Sequence, residues 1–506
     1  MKTIMRQLVA ATAILIGLAM VVACGGGQSG ASADRIRIAV PQAPPTLDPA
    51  DMTEGQMLFF AQTLFDSLVV VGPDGQIQPN IATEWSYNAD HTSLTMTLRD
   101  DATFSDGTAV DAAAVVKALD HNREGTGTAH QQLLSVSDVS AVDPSTVRID
   151  LKSGDPSLLY SLGTYGGFLV APASVDAGTA DTAPIGSGPY VLDTAQTVNG
   201  SSYVFSRHAG YWNQAAFPYD SVELKVIDTP DATLNALKSG QIDAMYGTEE
   251  ASQDAKAAGL TVNVGSPALW NGYIIADRSG RQVPALGDER IRQAINYAID
   301  RKGIVEQFYP ESGIPTTQVF NPKSPAWDES LNAQYPYDPD KARALVKESG
   351  LGDVTVTIAS FPRLLDRLQP IIEQELDAVG ITVVWNSVAP SDYRSGLLGA
   401  PMYPMSMSSN LSPWTDIQNL LLPTATMNGM HSQTPELDRL LSAVQSATDD
   451  AELQSAYRAV NTYLVDQAWF VPIVAIKTMF FTADQVAVTM HDGQVVPDLR
   501  DIVPAG

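Results

Sequence analysis

Several stretches of the chain alternate between apolar and polar residues with a period of two, which predicts β-strands with one buried face. In the clearest of them, Leu94, Met96 and Leu98 alternate with two threonines over 93–98. Similar or shorter apolar segments predict further strands at 35–40, 68–71, 146–151, 222–227, 241–245, 354–358 and 382–385. Strands are therefore expected throughout the chain rather than in one block.

Other stretches repeat their apolar residues at i, i+3, i+4 and i+7, the spacing of one helix face. Asp111 is a typical N-cap residue, and Val115 and Leu119 keep this spacing after it. Asp288 and Asp338 precede comparable segments. Helices are predicted near 54–65, 112–119, 234–239, 289–299, 339–349, 365–379 and 437–444. Because strands and helices alternate over most of the chain, the pattern predicts an α/β fold.

The size and charge of the chain restrict its domain organisation and its possible partners. A chain of 506 residues is too long for one compact domain and predicts two to three lobes. Apolar residues make up 44% and charged residues 17% of the chain, which favours sizeable cores over disorder. The formal net charge of −27 argues against nucleic acid as a partner, since phosphate binding needs basic patches.

The N-terminus has the pattern of an exported lipoprotein. Lys2 and Arg6 precede a mostly apolar run over 8–23, and the single cysteine of the sequence, Cys24, follows it directly. A basic start, an apolar core and a small residue before the junction are typical of a secretory signal peptide. A cysteine at that junction is similar to a bacterial lipobox, so we expect lipidation of Cys24. The Gly/Ser-rich residues that follow predict a flexible tether.

The amino-acid sequences of several of the predicted strands, helices and turns resemble those of the family 5 extracellular solute-binding proteins. These are the peptide- and nickel-binding proteins of ABC importers. The strings that carry the resemblance are LFDSLV at 64–69, PDGQIQPNIATEW at 73–85, TLRDDATFSDGTAV at 97–110, GSGPY at 186–190 and DERIRQAINYAIDRKGIV at 288–305. They occur in the family's order, and the resemblance covers nearly everything from 36 to 480.

The resemblance implies a periplasmic-binding-protein-like α/β fold, with two α/β lobes joined by a hinge and an extra α+β subdomain on the first lobe. The expected divisions are a lipoprotein signal peptide over 1–23, a tether over 24–34, a first-lobe core over 35–72, 185–275 and 468–506, the extra subdomain over 73–184, and a second lobe over 276–467. Proteins of this kind close on a solute without turning it over.

Motifs that would indicate catalysis are missing from the sequence. It contains no GxSxG, no HExxH, no Walker A loop with its lysine and no EF-hand loop. The six histidines are scattered, and no two have the i, i+4 spacing of a helical metal pair. We therefore expect no enzyme, no cofactor and no metal. A secreted hydrolase that uses two of the 57 acidic residues stays open as an alternative.

In peptide-binding members of the family, a second-lobe segment supplies an aspartate that pairs with the ligand's terminal amine. The corresponding segment here is SNLSPWTDIQNL at 409–420, where Pro413 stands in the place of that aspartate. The amine clamp is therefore expected to be absent, unless a loop shift brings Asp416 into its place. An oligopeptide, a glycoside and an opine-like conjugate all stay open as ligands.

A solute cleft needs aromatic walls, a few polar anchors and backbone donors. The candidate ligand-binding residues are Pro44, Pro45 and Thr46 after the first strand, the aromatic residues Trp270, Tyr393 and Tyr403, and Asn410, Leu411, Ser412, Trp414 and Asp416 in the second-lobe segment. For each aromatic residue, ordinary core packing is the alternative. The methionines at 402, 405 and 407 suit an adaptable pocket or, more simply, a half-buried strand.

Together these features predict a monomeric, lipid-anchored binding protein on the outer face of the bacterial cytoplasmic membrane. It would capture a small polar solute and deliver it to ABC permease subunits, meeting the ATPase subunits only indirectly. A ligand sensor or chaperone with the same fold stays open, as does a structural surface lipoprotein without a closing cleft.

Overall fold

The computed structural model describes residues 35–53, 55–362 and 364–506. The predicted signal peptide, Cys24 and the tether lie outside the described residues. Within those ranges, no helix is both long enough and apolar enough to cross a membrane.

The strands occur along the whole described chain. They are β1 (Arg35–Val40), β2 (Val69–Val71), β3 (Ile77–Pro79), β4 (Ala82–Tyr87), β5 (Ser93–Leu98), β6 (Val136–Asp143), β7 (Thr146–Leu151), β8 (Tyr190–Leu192), β9 (Ser202–Arg207), β10 (Ser221–Val226), β11 (Ala244–Gly247), β12 (Thr261–Ile275), β13 (Gly313–Pro315), β14 (Val354–Ser360), β15 (Ile381–Ser387), β16 (Met402–Ser408), β17 (Phe470–Thr482), β18 (Val486–Val488) and β19 (Ile502–Pro504).

The α-helices lie between these strands. They are α1 (Leu58–Leu64), α2 (Ala112–Glu124), α3 (Thr128–Gln132), α4 (Leu158–Leu162), α5 (Pro172–Ala177), α6 (Pro230–Lys238), α7 (Glu249–Ala257), α8 (Pro284–Gly287), α9 (Glu289–Ala298), α10 (Arg301–Phe308), α11 (Pro339–Ser349), α12 (Gln369–Asp377), α13 (Pro413–Leu420), α14 (Pro435–Ser446) and α15 (Asp450–Asp466). Short 3₁₀ or π turns occupy Tyr165–Gly167, Gln214–Ala216, Glu329–Ala333, Asp366–Leu368, Pro390–Asp392, Tyr393–Leu397 and Leu499–Asp501.

One nine-stranded sheet runs through both lobes in the order β8-β9-β10-β1-β11-β17-β12-β16, with β13 also paired to β17. In the first lobe, which we call lobe I, β1 pairs in parallel with both β10 and β11. Helix α6 makes the crossover between β10 and β11. The Thr229 side chain accepts a bond from Ala232 N at its start, and Gly240 has a φ of 71° just beyond its end. A left-handed φ of this kind favours glycine at the exit of a helix.

The predicted extra subdomain contains a separate antiparallel sheet in the order β4-β5-β7-β6. The alternation in β5 is confirmed, since Leu94 and Met96 are fully buried. The N-cap at Asp111 is also confirmed, because its side chain accepts a bond of 2.9 Å from Ala114 N. Buried residues of this sheet and of lobe I belong to one continuous hydrophobic core.

The second lobe, lobe II, packs two hydrophobic cores against opposite faces of β12. Tyr273 and Ile275 face helices α9 and α11 and the parallel pair β14-β15. Trp270 and Ile274 face helices α13, α14 and α15. This arrangement confirms the predicted α/β fold and gives lobe II its own interior.

Strands β12 and β17 connect the two lobes. Their antiparallel pairing is regular between Thr261–Val264 and Met479–Thr482 in lobe I and again from Leu269 to Asn271 in lobe II, where one further shift follows before Gly272. Between these stretches the register shifts around Pro267, which has no backbone N–H to donate. Because both strands contribute to both lobes, the division of the chain near residues 275 and 467 stays a prediction.

Candidate functional site

A cleft lies between the lobes, and one face of β12 and β16 forms its floor. Ser406 pairs with Asn271 and Ser408 pairs with Leu269, so the four residues share that face. Their side chains line three neighbouring cavities that also reach residues of lobe I. The cleft is therefore built from both lobes.

The charged end of the cleft is the cavity of about 330 Å³ beside α7. It is lined by Glu250, Asn271, Tyr309, Leu364, Leu365, Asp366, Arg367 and Ser406. An adjoining cavity of about 140 Å³ shares Glu250, Tyr309 and Arg367 with it and adds Glu249 and Lys477. Acidic and basic side chains are both present at this end.

An ion pair crosses the cleft at the charged end. The Arg367 guanidinium of lobe II donates to the Glu250 carboxylate of lobe I and lies 4.8 Å from the Tyr309 ring centroid. Burial alone would raise the pKa of Glu250. The backbone N–H of Glu250 and the nearby Arg367 outweigh burial and hold this pKa below its usual value. Charge at this end is thus largely compensated within the protein.

The neutral end is a cavity of about 70 Å³ at the other end of the floor. It is lined by Gly55, Leu58, Gln132, Tyr160, Thr164, Tyr165, Ser408, Asn410, Gly493, Gln494, Val495 and Val496. Among the described residues, this set includes no carboxylate, ammonium or guanidinium group. Hydroxyls, amides and apolar side chains form the whole lining.

Amide groups at the neutral end have hydrogen-bonding capacity to spare. The Gln494 Oε1 atom is buried and has no hydrogen-bond partner among the described residues. Gln132 Oε1 accepts from Thr164 Oγ1 at 3.1 Å and from Gly166 N at 2.8 Å, which leaves the Gln132 NH₂ group as a donor. A buried amide without a partner costs free energy, so such groups favour a ligand that pairs with them.

A small recess of about 30 Å³ adjoins the neutral end and shares Leu58, Thr164 and Gln494 with it. At its base, Asp66 accepts from Tyr211 Oη at 2.8 Å and from Trp212 Nε1 at 3.1 Å. Burial raises the pKa of Asp66 to about 6. This carboxyl group is therefore occupied by protein donors.

Loops of the two lobes meet around the cleft. Leu411 of lobe II lies between two glycines of lobe I, because a Cβ atom on Gly75 would lie 2.4 Å from Leu411 Cδ1 and one on Gly493 2.6 Å from Leu411 Cγ. A Cβ atom on Gly154 would lie 2.3 Å from the Gln445 carbonyl oxygen. At Gly154, where the neighbouring atom belongs to the backbone, the lobes approach so closely that only glycine fits.

The second-lobe segment divides between the cleft and the interior. Asn410 lines the neutral end, and Asp416, only 3% exposed, accepts from Asn410 N at 3.1 Å and from Asn410 Nδ2 at 2.6 Å. Trp414 is buried in the core of lobe II. Ser412 is half-buried just before α13. Asp416 therefore holds its own loop together.

The other candidate residues lie away from the neutral end. Trp270 is 1% exposed and packs edge-on against Phe470, and the buried Tyr403 donates from its hydroxyl to Met427 O at 2.8 Å. The structure thus places both rings in the core, as the core-packing interpretation expected. Tyr393 is half-buried against Phe361.

The first loop does not line any of the cleft cavities described above. Pro44 is half-buried and Pro45 exposed, and Thr46 accepts a bond from Asp48 N. Asp48 in turn bonds His121 of the extra subdomain at 2.8 Å. Contact of Pro44, Pro45 and Thr46 with a ligand stays a prediction.

Sequence reasoning missed most of the lining. The missed residues include Gln132, Tyr160, Thr164, Tyr165, Asn271, Tyr309, Arg367, Ser408 and Gln494. The YSLGTYGG run at 160–167, from the end of α4 into a 3₁₀ turn, combines tyrosines with glycines, a composition that suits a binding wall. For Gln494, no local pattern in the sequence indicates a role.

Two α/β lobes, a polar cleft between them and two connecting strands define a two-lobed solute-binding protein. The family model for bacterial extracellular solute-binding proteins, family 5 Middle, matches residues 76–432. The chain belongs to this family.

Relatives and solved structures agree with this assignment. The glutathione-binding protein GsiB of Salmonella typhi is 25% identical over 456 residues, which cover 85% of this chain and 87% of GsiB. NikA from Brucella suis, solved with Fe(III)-EDTA, superposes with a TM-score of 0.79 at 22% identity over 93% of this chain and 100% of NikA. AgaA from A. tumefaciens R10, solved with agropinic acid, gives a TM-score of 0.78 at 20% identity over 93% of this chain and 99% of AgaA.

Proposed function

We propose that this protein is the substrate-binding component of an ABC importer, which closes its lobes on a small polar solute and delivers that solute to permease subunits. The observation that carries the proposal is the cleft itself. Hydrogen-bonding side chains from both lobes line it, and the lobes are connected by strands with a register shift between their two halves. This combination suits hinge closure around a ligand.

We also propose that the protein acts outside the cytoplasmic membrane as a monomer, anchored by a lipid on Cys24. The support is the basic and apolar N-terminal run that ends at this cysteine. Mass spectrometry of the membrane-extracted protein should show an N-terminal Cys24 with the added mass of acyl chains. An unmodified residue upstream of Cys24 in the mature protein would contradict the anchor.

Two ligand classes are compatible with the cleft. Oligopeptide binding is supported by the relative that binds glutathione, and a non-peptide solute is supported by neighbours solved with agropinic acid or a metal chelate. The burial of Asp416 in its own loop favours the non-peptide class, since that carboxylate is not available to an amine. A hydrolytic or sensing role has no comparable support in the geometry.

Native mass spectrometry of protein purified without refolding tests the binding function. We expect a bound small molecule, and we expect Ser408→Trp to abolish its retention by filling the neutral end. Ser442→Trp, on the exposed side of α14, is the matched control and should retain the molecule. Equal retention by both variants would show that the solute binds outside the neutral end, whereas no retained molecule in the unchanged protein would contradict the binding function.

A further inference from the structure

We infer that the solute presents an uncharged, hydroxyl-bearing group to the neutral end, as a neutral sugar or glycoside does, instead of the ammonium group of a peptide. The inference depends on the proposed function, because it specifies the chemistry of the solute in the same cleft.

The first argument is the charge of the lining. Gln132, Ser408, Asn410 and Gln494 come from three separate parts of the chain, and all four are neutral. An ammonium group that leaves water needs a counter-charge, and amides and hydroxyls do not supply one. Sugar hydroxyls both donate and accept, so they match amide NH₂, amide oxygen and serine hydroxyl groups without any charge.

The second argument is that three carboxylates around this end, among the described residues, are already paired. Asp416 accepts from the backbone and side chain of Asn410. In the recess, Asp66 accepts from Tyr211 and Trp212, and Asp498 pairs with Arg500 at 3.0 Å. A ligand amine would have to displace one of these protein donors.

The third argument is the shape and polarity of the space. A cavity of about 70 Å³ is smaller than the roughly 150 Å³ that holds a benzene ring, so it accommodates the hydroxyl-bearing edge of a solute and not a whole ring. Tyr160 and Tyr165 line it together with Leu58, Val495 and Val496. Aromatic and apolar side chains suit the C–H groups of such an edge, while the amides bind its hydroxyls.

Calorimetric titration of the purified full-length protein with two sets of probes tests the inference. The neutral set contains glucose, maltose and cellobiose, and the peptide set contains tri-alanine and its N-acetyl derivative. We expect at least one sugar to bind and neither peptide to do so. We expect Gln494→Met to weaken sugar binding about tenfold or more, because it removes the amide oxygen and the amide NH₂ at nearly constant shape.

Gln374→Met is the matched control, since it makes the same change on the exposed side of α12 and should leave binding unchanged. The thermal midpoints of both ligand-free variants show whether they fold. Ser408→Asp supplies an independent second test. It adds a carboxylate to the neutral end and should weaken the sugar while creating affinity for tri-alanine.

The outcomes separate this inference from the proposed function. Tri-alanine binding that is lost on N-acetylation would overturn the inference and leave the binding function intact. Loss of that binding in Glu54→Gln would identify the amine partner as Glu54, which precedes the lining residue Gly55 and lies outside the described residues. No heat with any probe, together with no retained molecule in native mass spectrometry, would overturn both.

Discussion

The two ends of the cleft handle charge in opposite ways. At the charged end, acids and bases from both lobes face one another, and the pKa of Glu250 lies below its usual value. At the neutral end, the described lining is uncharged, and a buried acid in the adjoining recess, Asp66, has its pKa raised to about 6. The Arg367–Glu250 pair is satisfied within the protein, whereas one buried amide oxygen at each end, Asn271 Oδ1 and Gln494 Oε1, has no partner among the described residues. We therefore propose that selectivity for the solute belongs mainly to the neutral end.

A substitution that prevents the lobes from closing should weaken solute binding most. Neither end of the cleft can then contact the solute from both lobes. In Gly154→Ala, the new Cβ atom would lie 2.3 Å from the Gln445 carbonyl oxygen, and neither backbone can easily give way. We expect the affinity for the retained solute to fall about a thousandfold, or about 4 kcal/mol. The ligand-free melting temperature should change little.

Calorimetric titration and small-angle scattering would measure the affinity and the closure of this variant. Gly210→Ala is the control, since the nearest atom to its Cβ lies at an ordinary 3.4 Å. Normal affinity in Gly154→Ala would show that closure does not bring these two loops together.

The next largest effect is expected from Asp66, the buried acid beside the neutral end. It should make the stability of the protein depend on pH. Because the folded-state pKa of Asp66 is raised to about 6, the folded protein binds more protons than the unfolded chain between about pH 4 and pH 6. The free energy of unfolding should therefore fall as the pH rises through this window, by up to about 3 kcal/mol from this group.

Asp66→Asn should remove that component, so the difference in unfolding free energy between the two proteins should change between pH 4 and pH 6 and be constant above. Urea titrations at several pH values measure it. A constant difference over the whole range would show that the pKa of Asp66 is not raised.

Substituting Asp416, the lobe II carboxylate that bonds Asn410 at the neutral end, should have a smaller effect on the free energy of unfolding. In Asp416→Asn, an amide replaces an oxygen that accepts from Asn410 N and Asn410 Nδ2, so at least one charge-assisted bond is lost. We expect a loss of about 2 kcal/mol of unfolding free energy. We also expect weaker binding, because Asn410 is no longer held at the cleft. Unchanged affinity with lowered stability would restrict Asp416 to a structural role.

The ion pair at the charged end should have the smallest effect. The side chains of Arg367 and Glu250 are 38% and 61% exposed, and a pair of this kind contributes less than about 1 kcal/mol. Glu250→Gln should therefore weaken solute affinity by no more than about fivefold, and the difference should shrink as salt is added. An effect larger than that of Asp416→Asn would reverse our ranking of the two ends.

Much of the fold could be predicted because local patterns determine it. The strand over 93–98, the helix caps at Asp111, Asp288 and Asp338, and the glycine at the end of α11 are all as expected. The predicted helix over 365–379 starts only at Gln369, because Leu365 has a φ of 56° and a 3₁₀ turn intervenes. Left-handed φ at a leucine is set by tertiary contacts and has no sequence pattern.

The site could be predicted only in part, because its residues come from distant segments. Asn410 was recognised from the second-lobe segment, but Gln132, Arg367 and Gln494 meet it only after the chain has folded. Trp270 shows the opposite case, a residue that was predicted for the site but lies in the core. It suits a cleft wall by composition, yet alternation along β12 turns it towards the helices of lobe II and leaves Asn271 on the cleft side.

The single core shared by lobe I and the extra subdomain also bears on how the protein melts. Residues such as Met96 and Val147 pack in the same cluster as Ile38 and Phe205, so the subdomain has no interior that is its own. A unit without a separate interior does not unfold independently. In a scanning calorimeter the protein should therefore absorb heat as two cooperative blocks, one for lobe I with its subdomain and one for lobe II.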